Sequence, residues 1–291
     1  MTPLPRISRR AALYTIGGAI PLLHNPIDWF GRSGKAKKYQ LGACDWSLGF
    51  HSDPQAFEEA RLIGLDGVQV SLGKQENNMH LRQKEVQELY KTKARETGVR
   101  IASLAIGELN QYPYKSDPQT IPWVQDSIEV AHAMNCSVVL LAFFGKGDLK
   151  DDTKGQQVVI DRLKEVMPVA EKSGITLGIE SWLSAEEHMK IIDAVGSNAL
   201  QVYYDVANSQ KMGYDIYQEI EWLGDQICEI HMKENGNLLG EGVVDFDRVR
   251  HSLEKIGFEG WMQIEGAVPS GADRRDSYVK NAAFLRKTFQ L

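Results

Sequence analysis

The sequence predicts an α/β protein with the architecture of a (β/α)8 barrel, or TIM barrel, on three observations. Short apolar or β-branched runs alternate with longer segments of helical periodicity over residues 39–291. The alternation repeats eight times in about 250 residues, which matches the strand count and length of such a barrel. No Gly-x-Gly-x-x-Gly motif follows the first run. Its absence there disfavours the alternative, a doubly wound dinucleotide-binding sheet.

Each predicted strand is one of the short apolar runs. The strands are predicted over residues 40–46, 67–72, 99–106, 137–144, 175–181, 200–205, 227–233 and 261–266. Capping residues and glycines mark the helices between them. These signals are Asp53-Pro54 with Gly64, residues 85–97 before Gly98, Asp117-Pro118, a long helix to Gly174, the capping box Ser184–Glu187, residues 245–256 before Gly257, and residues 273–288.

The composition is that of an ordinary globular protein. With 43% hydrophobic and 25% charged residues, the 291-residue chain is neither mainly disordered nor fibrous. Its net charge of −6 lacks the basic excess of a nucleic-acid-binding protein. No apolar run is long enough to span a bilayer, which excludes a polytopic membrane protein. The three cysteines contain no CxxC pair, so we expect neither a disulfide framework nor a cysteine metal site.

The first 38 residues differ from the rest. Ser8-Arg9-Arg10 precedes a short apolar stretch, an arrangement that resembles a twin-arginine export signal. A disordered basic tail is the alternative. We therefore expect residues 1–38 to be an export signal and linker, and residues 39–291 to be a single barrel domain. The expected location is periplasmic, or cytoplasmic if the signal is not functional.

Predicted strands five to eight each end in an ionisable side chain, at the barrel end where catalytic groups lie. These side chains are Glu180, Asp205, His231 and Glu265. They follow at intervals of 25, 26 and 34 residues, once per strand, so they can converge on one point. Three carboxylates so close would repel one another, and a divalent cation bound by all four side chains would resolve that repulsion. Such a set suits Mn²⁺, Mg²⁺ or Co²⁺ better than a structural zinc, with Zn²⁺ left open.

Several strings around these positions carry a family resemblance. They are Ile179-Glu180, Tyr204-Asp205-Val206-Ala207-Asn208, Ile230-His231-Met232-Lys233-Glu234, Leu239-Gly240-Glu241-Gly242 and Ile264-Glu265-Gly266. Together they resemble the xylose-isomerase-like sugar isomerase and epimerase superfamily, which includes ketose 3-epimerases, hydroxypyruvate isomerases and inosose dehydratases. The resemblance covers nearly all of residues 39–291. It implies a metal-dependent barrel with Glu180, Asp205, His231 and Glu265 as metal ligands. In the epimerase branch the two glutamates also move the substrate proton, so the resemblance implies that Glu180 and Glu265 are the catalytic residues here.

Two positions depart from the epimerase pattern. Epimerases of this group often carry a His three positions after the sixth-strand Asp, where this chain has Asn208. They also carry an Arg six positions after the seventh-strand His, where it has Asn237. The endonuclease branch needs several more histidines, but of the seven here only His231 ends a predicted strand. We therefore expect no nucleic-acid partner.

The resemblance implies an isomerase or epimerase that moves a proton next to the metal-bound carbonyl or hydroxyl of a ketose or keto-polyol. Two alternatives stay open: a lyase or dehydratase acting on a keto-sugar or inosose, and a non-catalytic exported sugar-binding barrel. The expected partner is a small sugar or polyol. Stable membrane insertion is not expected, and a homo-oligomer is left open.

Several side chains are candidates for contact with the substrate. Lys233 lies two residues after His231 and so faces the same side of its strand, where it would meet the substrate or pair with Glu229 or Glu234. The candidate substrate-binding residues are Lys233, Asn208, Trp182, Trp46, Glu108 and Glu241. Gln69 is a further candidate partner for a substrate hydroxyl.

Overall fold

Eight parallel strands close into a barrel in the computed structural model, which describes residues 38–291. The strands are β1 (Tyr39–Cys44), β2 (Gly67–Ser71), β3 (Arg100–Ile106), β4 (Val138–Phe143), β5 (Thr176–Ser181), β6 (Leu200–Asp205), β7 (Ile227–Glu234) and β8 (Gly260–Gly266). Each strand pairs with the next, and β8 pairs with β1 to complete the ring. The (β/α)8 prediction is confirmed, and every predicted strand is present with its ends shifted by at most two residues. The predicted export signal lies outside the described residues.

Ten α-helices accompany the strands in this part of the chain. They are α1 (Asp45–Leu48), α2 (Ala56–Ile63), α3 (Lys84–Thr97), α4 (Thr120–Ala133), α5 (Thr153–Ser173), α6 (Ala185–Val195), α7 (Val206–Lys211), α8 (Ile216–Leu223), α9 (Phe246–Lys255) and α10 (Arg274–Phe289). None of these helices has the length and apolar character that crossing a membrane requires.

Most helix ends follow the predicted capping signals, with some shifts. The capping box before α6 is present: Ser184 Oγ accepts from Glu187 N at 3.3 Å, and Ser184 N donates to Glu187 Oε2 at 2.8 Å. Helices α2 and α4 begin two residues after the predicted first-turn prolines. In both places an aspartate before the proline, Asp53 or Asp117, accepts from the backbone two residues on, which forms a turn ahead of the helix.

The first strand ends earlier than predicted because a buried carboxylate turns the chain. Asp45 is fully buried and accepts hydrogen bonds from Ser71 N (2.8 Å), Ser71 Oγ (2.7 Å) and Ser52 N (3.2 Å). These bonds join the end of β1 to the end of β2. The chain therefore leaves the sheet at Asp45 and forms α1, which carries Trp46 over the end of the barrel.

Two apolar clusters form the core. The larger one lies between the strands and the surrounding helices. The smaller one is built from the buried residues Ala105, Val138, Leu140, Ala142 and Tyr203. Strand side chains alternate between these two sides of a barrel wall. Several buried residues on the strands are polar instead of apolar, namely Gln69, Ser103, Glu229 and Gln263.

Substitution of Gly67 by alanine tests the packing at the start of β2. A Cβ at this position would lie 2.4 Å from the Trp261 ring and 3.0 Å from the carbonyl oxygen of Arg100. We expect Gly67→Ala to lower the free energy of unfolding by about 1–3 kcal/mol, measured by urea denaturation. Gly107→Ala is the control, because a Cβ there meets no described atom within 4 Å. Equal stability of the two variants would contradict this packing.

Candidate metal centre

Four side chains singled out in the sequence meet at the carboxyl end of the barrel. They are Glu180 on β5, Asp205 on β6, His231 on β7 and Glu265 on β8. One potential ligand atom from each lies within 4.8 Å of the others. The first three are buried, and the Glu265 side chain is 16% exposed. All four therefore come from the second half of the barrel and face a single point.

The two carboxylate oxygens of Asp205 have different surroundings. Oδ1 accepts from the backbone N–H groups of Ala207 (2.9 Å) and Asn208 (2.8 Å), so Asp205 caps α7. Oδ2 is buried and has no hydrogen-bond partner within residues 38–291, although Lys233 Nζ lies 3.4 Å away. Burial raises the pKa of Asp205 to about 7, against the opposing effect of Lys233. Oδ2 is thus an acceptor available to a cation.

His231 presents a different nitrogen to each side of the barrel interior. Nδ1 faces the carboxylates, 3.1 Å from Glu180 Oε1 and 3.7 Å from Glu265 Oε2. Nε2 points the other way, 3.0 Å from Gln69 Oε1 and 3.3 Å from Cys44 Sγ. Burial lowers the pKa of His231, but the contact with Cys44 and the facing carboxylates outweigh burial and raise this pKa well above 6.5. The metal-free ring is therefore protonated, and a cation bound among the carboxylates would replace the proton on Nδ1.

The two glutamates differ in how firmly they are held. Trp46 Nε1 donates to Glu265 Oε1 at 2.9 Å, and Lys233 Nζ donates to Glu265 Oε2 at 2.7 Å. Burial opposes ionisation of Glu265, but the protonated imidazole of His231 and the Lys233 ammonium outweigh it and hold the pKa at about 2. Glu180 Oε1 accepts a longer bond of 3.4 Å from Asn208 Nδ2, and its other close contact is His231 Nδ1 at 3.1 Å. Glu265 is thus held as a carboxylate by two close donors.

Lys233 faces the mouth, as predicted, but its partners differ from the pairing with Glu229 or Glu234 that the sequence suggested. The ammonium lies 2.7 Å from Glu265 Oε2 and 3.4 Å from Asp205 Oδ2. The reason is strand register, because Lys233 stands opposite Glu265 in the β7–β8 pairing. Glu229 bonds other buried groups, and Glu234 accepts from the backbone of the following loop. The carboxylates among which it lies raise the pKa of Lys233 despite its burial.

A divalent cation fits this donor set. Three carboxylates and one ammonium leave two net negative charges when the imidazole is neutral. Asp205 Oδ2 is a buried acceptor whose hydrogen-bonding capacity no described residue uses. Three oxygen donors and one imidazole nitrogen form a set suited to Mn²⁺, Mg²⁺ or Co²⁺.

A cavity of about 470 Å³ opens from these side chains. Aromatic rings form part of its wall, and those of Phe144 and Trp182 meet edge to face with centroids 4.9 Å apart. Burial raises the pKa of Glu108, which contributes a carboxyl group to the wall. The cavity thus combines an apolar wall with a few polar groups, as small-molecule sites typically do.

Five of the six candidate substrate-binding residues line this cavity. They are Lys233, Asn208, Trp182, Trp46 and Glu108. The sixth, Glu241, lies exposed in the loop after β7 and is not among the lining residues. Gln69 is fully buried and also does not line the cavity, so it is not placed to meet a substrate hydroxyl.

Sequence reasoning missed three polar residues of the cavity wall. They are His51, Ser71 and Asn110. Ser71 is the last residue of β2, Asn110 lies four residues after β3, and His51 follows α1, seven residues after β1. A search of strand ends in the first half of the barrel would have found Ser71, whereas His51 and Asn110 reach the cavity through the path of their loops.

A buried histidine holds the loop that carries Trp182. His188 Nδ1 lies 3.0 Å from the Ser184 carbonyl oxygen, and Nε2 lies 2.9 Å from Ser181 Oγ. A carbonyl can only accept, so Nδ1 donates and Nε2 accepts in a neutral ring. Tyr214 OH donates to the Trp182 carbonyl oxygen at 3.0 Å. The loop is therefore fixed by hydrogen bonds on both sides of Trp182.

Comparison with known proteins agrees with this architecture. The family model described as xylose isomerase-like TIM barrel matches residues 57–288. Among curated proteins, the chain is similar to L-ribulose-5-phosphate 3-epimerase UlaE of Escherichia coli (strain K12). The two are 25% identical over 224 residues, which cover 71% of this chain and 79% of the relative. Its counterpart in Shigella flexneri serotype 5b is also 25% identical, over 78% of this chain and 86% of the relative.

Solved structures share the fold. A structure of D-psicose 3-epimerase with D-tagatose from Clostridium cellulolyticum H10 has a TM-score of 0.74 at 16% identity, and covers 86% of this chain and 99% of that chain. The structure of an L-ribulose 3-epimerase has a TM-score of 0.72 at 17% identity, and covers 87% of this chain and 95% of that chain. The isomerase or epimerase class predicted from the sequence agrees with the names of these proteins.

The neutral state of His188 predicts how stability depends on pH. Burial lowers its pKa from 6.5 to about 4, so the unfolded chain takes up a proton in this range that the folded chain does not. This histidine's contribution to stability is therefore present above pH 6.5 and lost as the pH falls toward 4. We expect the stability advantage of wild type over His188→Gln to shrink by about 2 kcal/mol between about pH 7.5 and about pH 5.

Urea denaturation of both proteins at the two pH values measures this change. His251→Gln, at an exposed position on α9, serves as the control and should show no such change. A constant difference between wild type and His188→Gln across this range would contradict the neutral assignment.

Proposed function

Because this chain belongs to the xylose isomerase-like TIM barrel family, we propose that it is a divalent-metal-dependent sugar isomerase or epimerase. Its substrate would be a ketose or keto-polyol. The observation that carries the proposal is the convergence of Glu180 and Glu265, two possible proton carriers, with Asp205 and His231 at one cavity. The 3-epimerase names of the relatives support the same class of reaction.

The proposed metal ligands are Glu180, Asp205, His231 and Glu265, and the proposed ion is Mn²⁺, Mg²⁺ or Co²⁺, with Zn²⁺ as the alternative. When bound, a divalent cation supplies Lewis-acid polarisation of a substrate carbonyl. The ligand set does not by itself choose between epimerisation and isomerisation. That choice depends on the carbon to which a proton returns.

The chain's own residues would move the proton. Glu180 and Glu265 lie on strands β5 and β8 and both line the cavity. One carboxylate would remove the proton from the carbon next to the substrate carbonyl, and the other would return one. Return to the opposite face of the same carbon is epimerisation, and return to the neighbouring carbon is isomerisation.

The remaining cavity residues would bind and orient the sugar. The Lys233 ammonium is placed to donate to a substrate oxygen that gains negative charge during proton removal. Asn208 and Glu108 would bind hydroxyl groups, and Trp46 and Trp182 would cover the apolar face of the sugar. Lys233 is the one lysine or arginine among the described residues that line the cavity, and it already pairs with carboxylates. This charge balance favours an unphosphorylated sugar.

Proton exchange with solvent tests the proposed reaction. We expect the Mn²⁺-loaded protein in D₂O to introduce deuterium next to the carbonyl of an unphosphorylated ketose, seen by NMR or mass spectrometry. Chelation of the metal should stop the exchange. An unsaturated product that absorbs in the ultraviolet would indicate the dehydratase instead. If unphosphorylated ketoses and keto-polyols are tested in turn and bind without exchange, the result would favour the non-catalytic barrel and contradict the proposal.

Neutral replacements of the two glutamates test their role. Glu180→Gln and Glu265→Gln should each lower deuterium exchange by about 10²–10⁴-fold at saturating metal, because an amide cannot carry the proton. Both variants should remain folded, since each loses one of three mutually repelling carboxylates. Glu186→Gln on α6 is the matched control, since Glu186 is exposed and outside the cavity. Undiminished exchange in both active-site variants would exclude these residues as proton carriers.

A further inference from the structure

We propose that Gln69 is a positioning residue that fixes the ring orientation and tautomer of His231 through a buried hydrogen-bond network anchored on Glu229. The inference rests on the proposed metal site, and it concerns the groups beneath that site. The network joins four strands across the barrel interior and consists of Gln69 (β2), Ser103 (β3), Tyr203 (β6) and Glu229 (β7).

The donor and acceptor in each hydrogen bond of the network can be assigned by starting from Glu229. One of its oxygens, Oε2, lies 2.8 Å from Ser103 Oγ and 3.0 Å from Tyr203 OH, with a weaker 3.4 Å contact to Gln263 Nε2. This carboxyl oxygen accepts a hydrogen bond from both hydroxyl groups, so each hydroxyl donates its single proton to Glu229. Both hydroxyl oxygens are therefore left with lone pairs only and can accept from another donor.

Gln69 supplies that donor. Its side-chain nitrogen lies 3.1 Å from Ser103 Oγ and 2.9 Å from Tyr203 OH, so both amide protons have acceptors. The opposite amide orientation would place the carbonyl oxygen against two hydroxyls whose protons are already used. The network thus determines which end of the amide is oxygen, and that oxygen, Oε1, points at His231.

The tautomer of His231 follows from this orientation. Its Nε2 lies 3.0 Å from Gln69 Oε1, an atom that can only accept, so Nε2 must carry a hydrogen. Cys44 Sγ lies 3.3 Å from the same oxygen and can donate to its second lone pair. In a neutral ring Nδ1 then has the free lone pair, and Nδ1 is the nitrogen that faces Glu180 and the other carboxylates.

The network also restrains the ring mechanically. His231 is fully buried, and the Tyr203 ring packs against it with centroids 4.6 Å apart. Gln69 therefore restrains the imidazole through a hydrogen bond, and Tyr203 restrains it through a ring contact, on the side away from the carboxylates. Groups that orient a metal-binding histidine in this way typically change metal affinity about 10–100-fold when they are removed.

The experiment compares Gln69→Leu with Gln87→Leu. Both replace a buried glutamine with leucine, which has a similar volume, but Gln87 lies on α3 and donates to the Leu81 carbonyl oxygen instead of contacting the network beneath His231. We expect Gln69→Leu to weaken Mn²⁺ binding by about 10–100-fold in calorimetric titration, and Gln87→Leu to leave it within about threefold of wild type. Thermal denaturation shows whether both proteins are folded.

A second measurement reads the ring protons of His231 directly, and its main observation is made on the wild-type protein. In wild-type protein with ¹⁵N-labelled histidine, we expect a slowly exchanging ring proton on His231 Nε2, with and without metal. Added Zn²⁺ should shift the Nδ1 resonance and leave this proton in place. Assignment uses loss of the signal in His231→Gln, and in Gln69→Leu the proton should lose its protection from exchange.

The outcomes separate this inference from the proposed function. If wild type binds Mn²⁺ and Gln69→Leu binds it equally well, the positioning role is wrong while the metal site stands. A Zn²⁺-induced shift at Nε2 instead of Nδ1 would also overturn it. If wild type binds no divalent ion, the proposed function fails. The Nε2 proton of the metal-free protein then decides the inference, and its insensitivity to Gln69→Leu would refute it.

Discussion

The mutual repulsion of three carboxylates at one end of the barrel is the constraint on which the rest of the site depends. Burial and the nearby carboxylates of Glu265 and Glu180 all oppose the ionisation of Asp205. The surrounding structure compensates with Lys233, the Trp46 indole and the helix cap at Asp205. These contacts hold the carboxylates in one arrangement, so a cation would meet an ordered set of donors instead of having to gather mobile side chains.

The barrel interior beneath this set is polar in part, where branched apolar residues dominate most barrels of this kind. Buried polar groups are destabilising unless they are hydrogen-bonded. Gln69, Ser103 and Tyr203 satisfy one another and Glu229, so the polar layer avoids most of that penalty. Strand alternation explains its place, because Glu229 precedes His231 by two residues and lies on the same side of β7 one layer deeper. Strand β7 therefore carries both the candidate metal ligand His231 and Glu229, which anchors the hydrogen-bond network beneath it.

The features predictable from the sequence are those that depend on local pattern. Strand positions follow from short apolar runs, and the clustering of Glu180, Asp205, His231 and Glu265 follows from one ionisable side chain per strand end. The remaining features depend on geometry across the ring. Lys233 pairs with Glu265 because of the β7–β8 register, which no local pattern reveals. Gln69 meets His231 across 162 residues of sequence, and Glu241 lies away from the cavity because of the path of a loop.

The placement of all four candidate ligands on β5 to β8 has a consequence for how such a protein can diversify. The loops after β3 and β4 contribute Glu108 and Phe144 to the cavity wall, and neither residue belongs to the ligand set. By contrast, Trp46 and Gln69, which also lie in the first half of the barrel, contact Glu265 and His231. Substitutions confined to the loops after β3 and β4 would therefore reshape the cavity while leaving the candidate ligands and their supports in place.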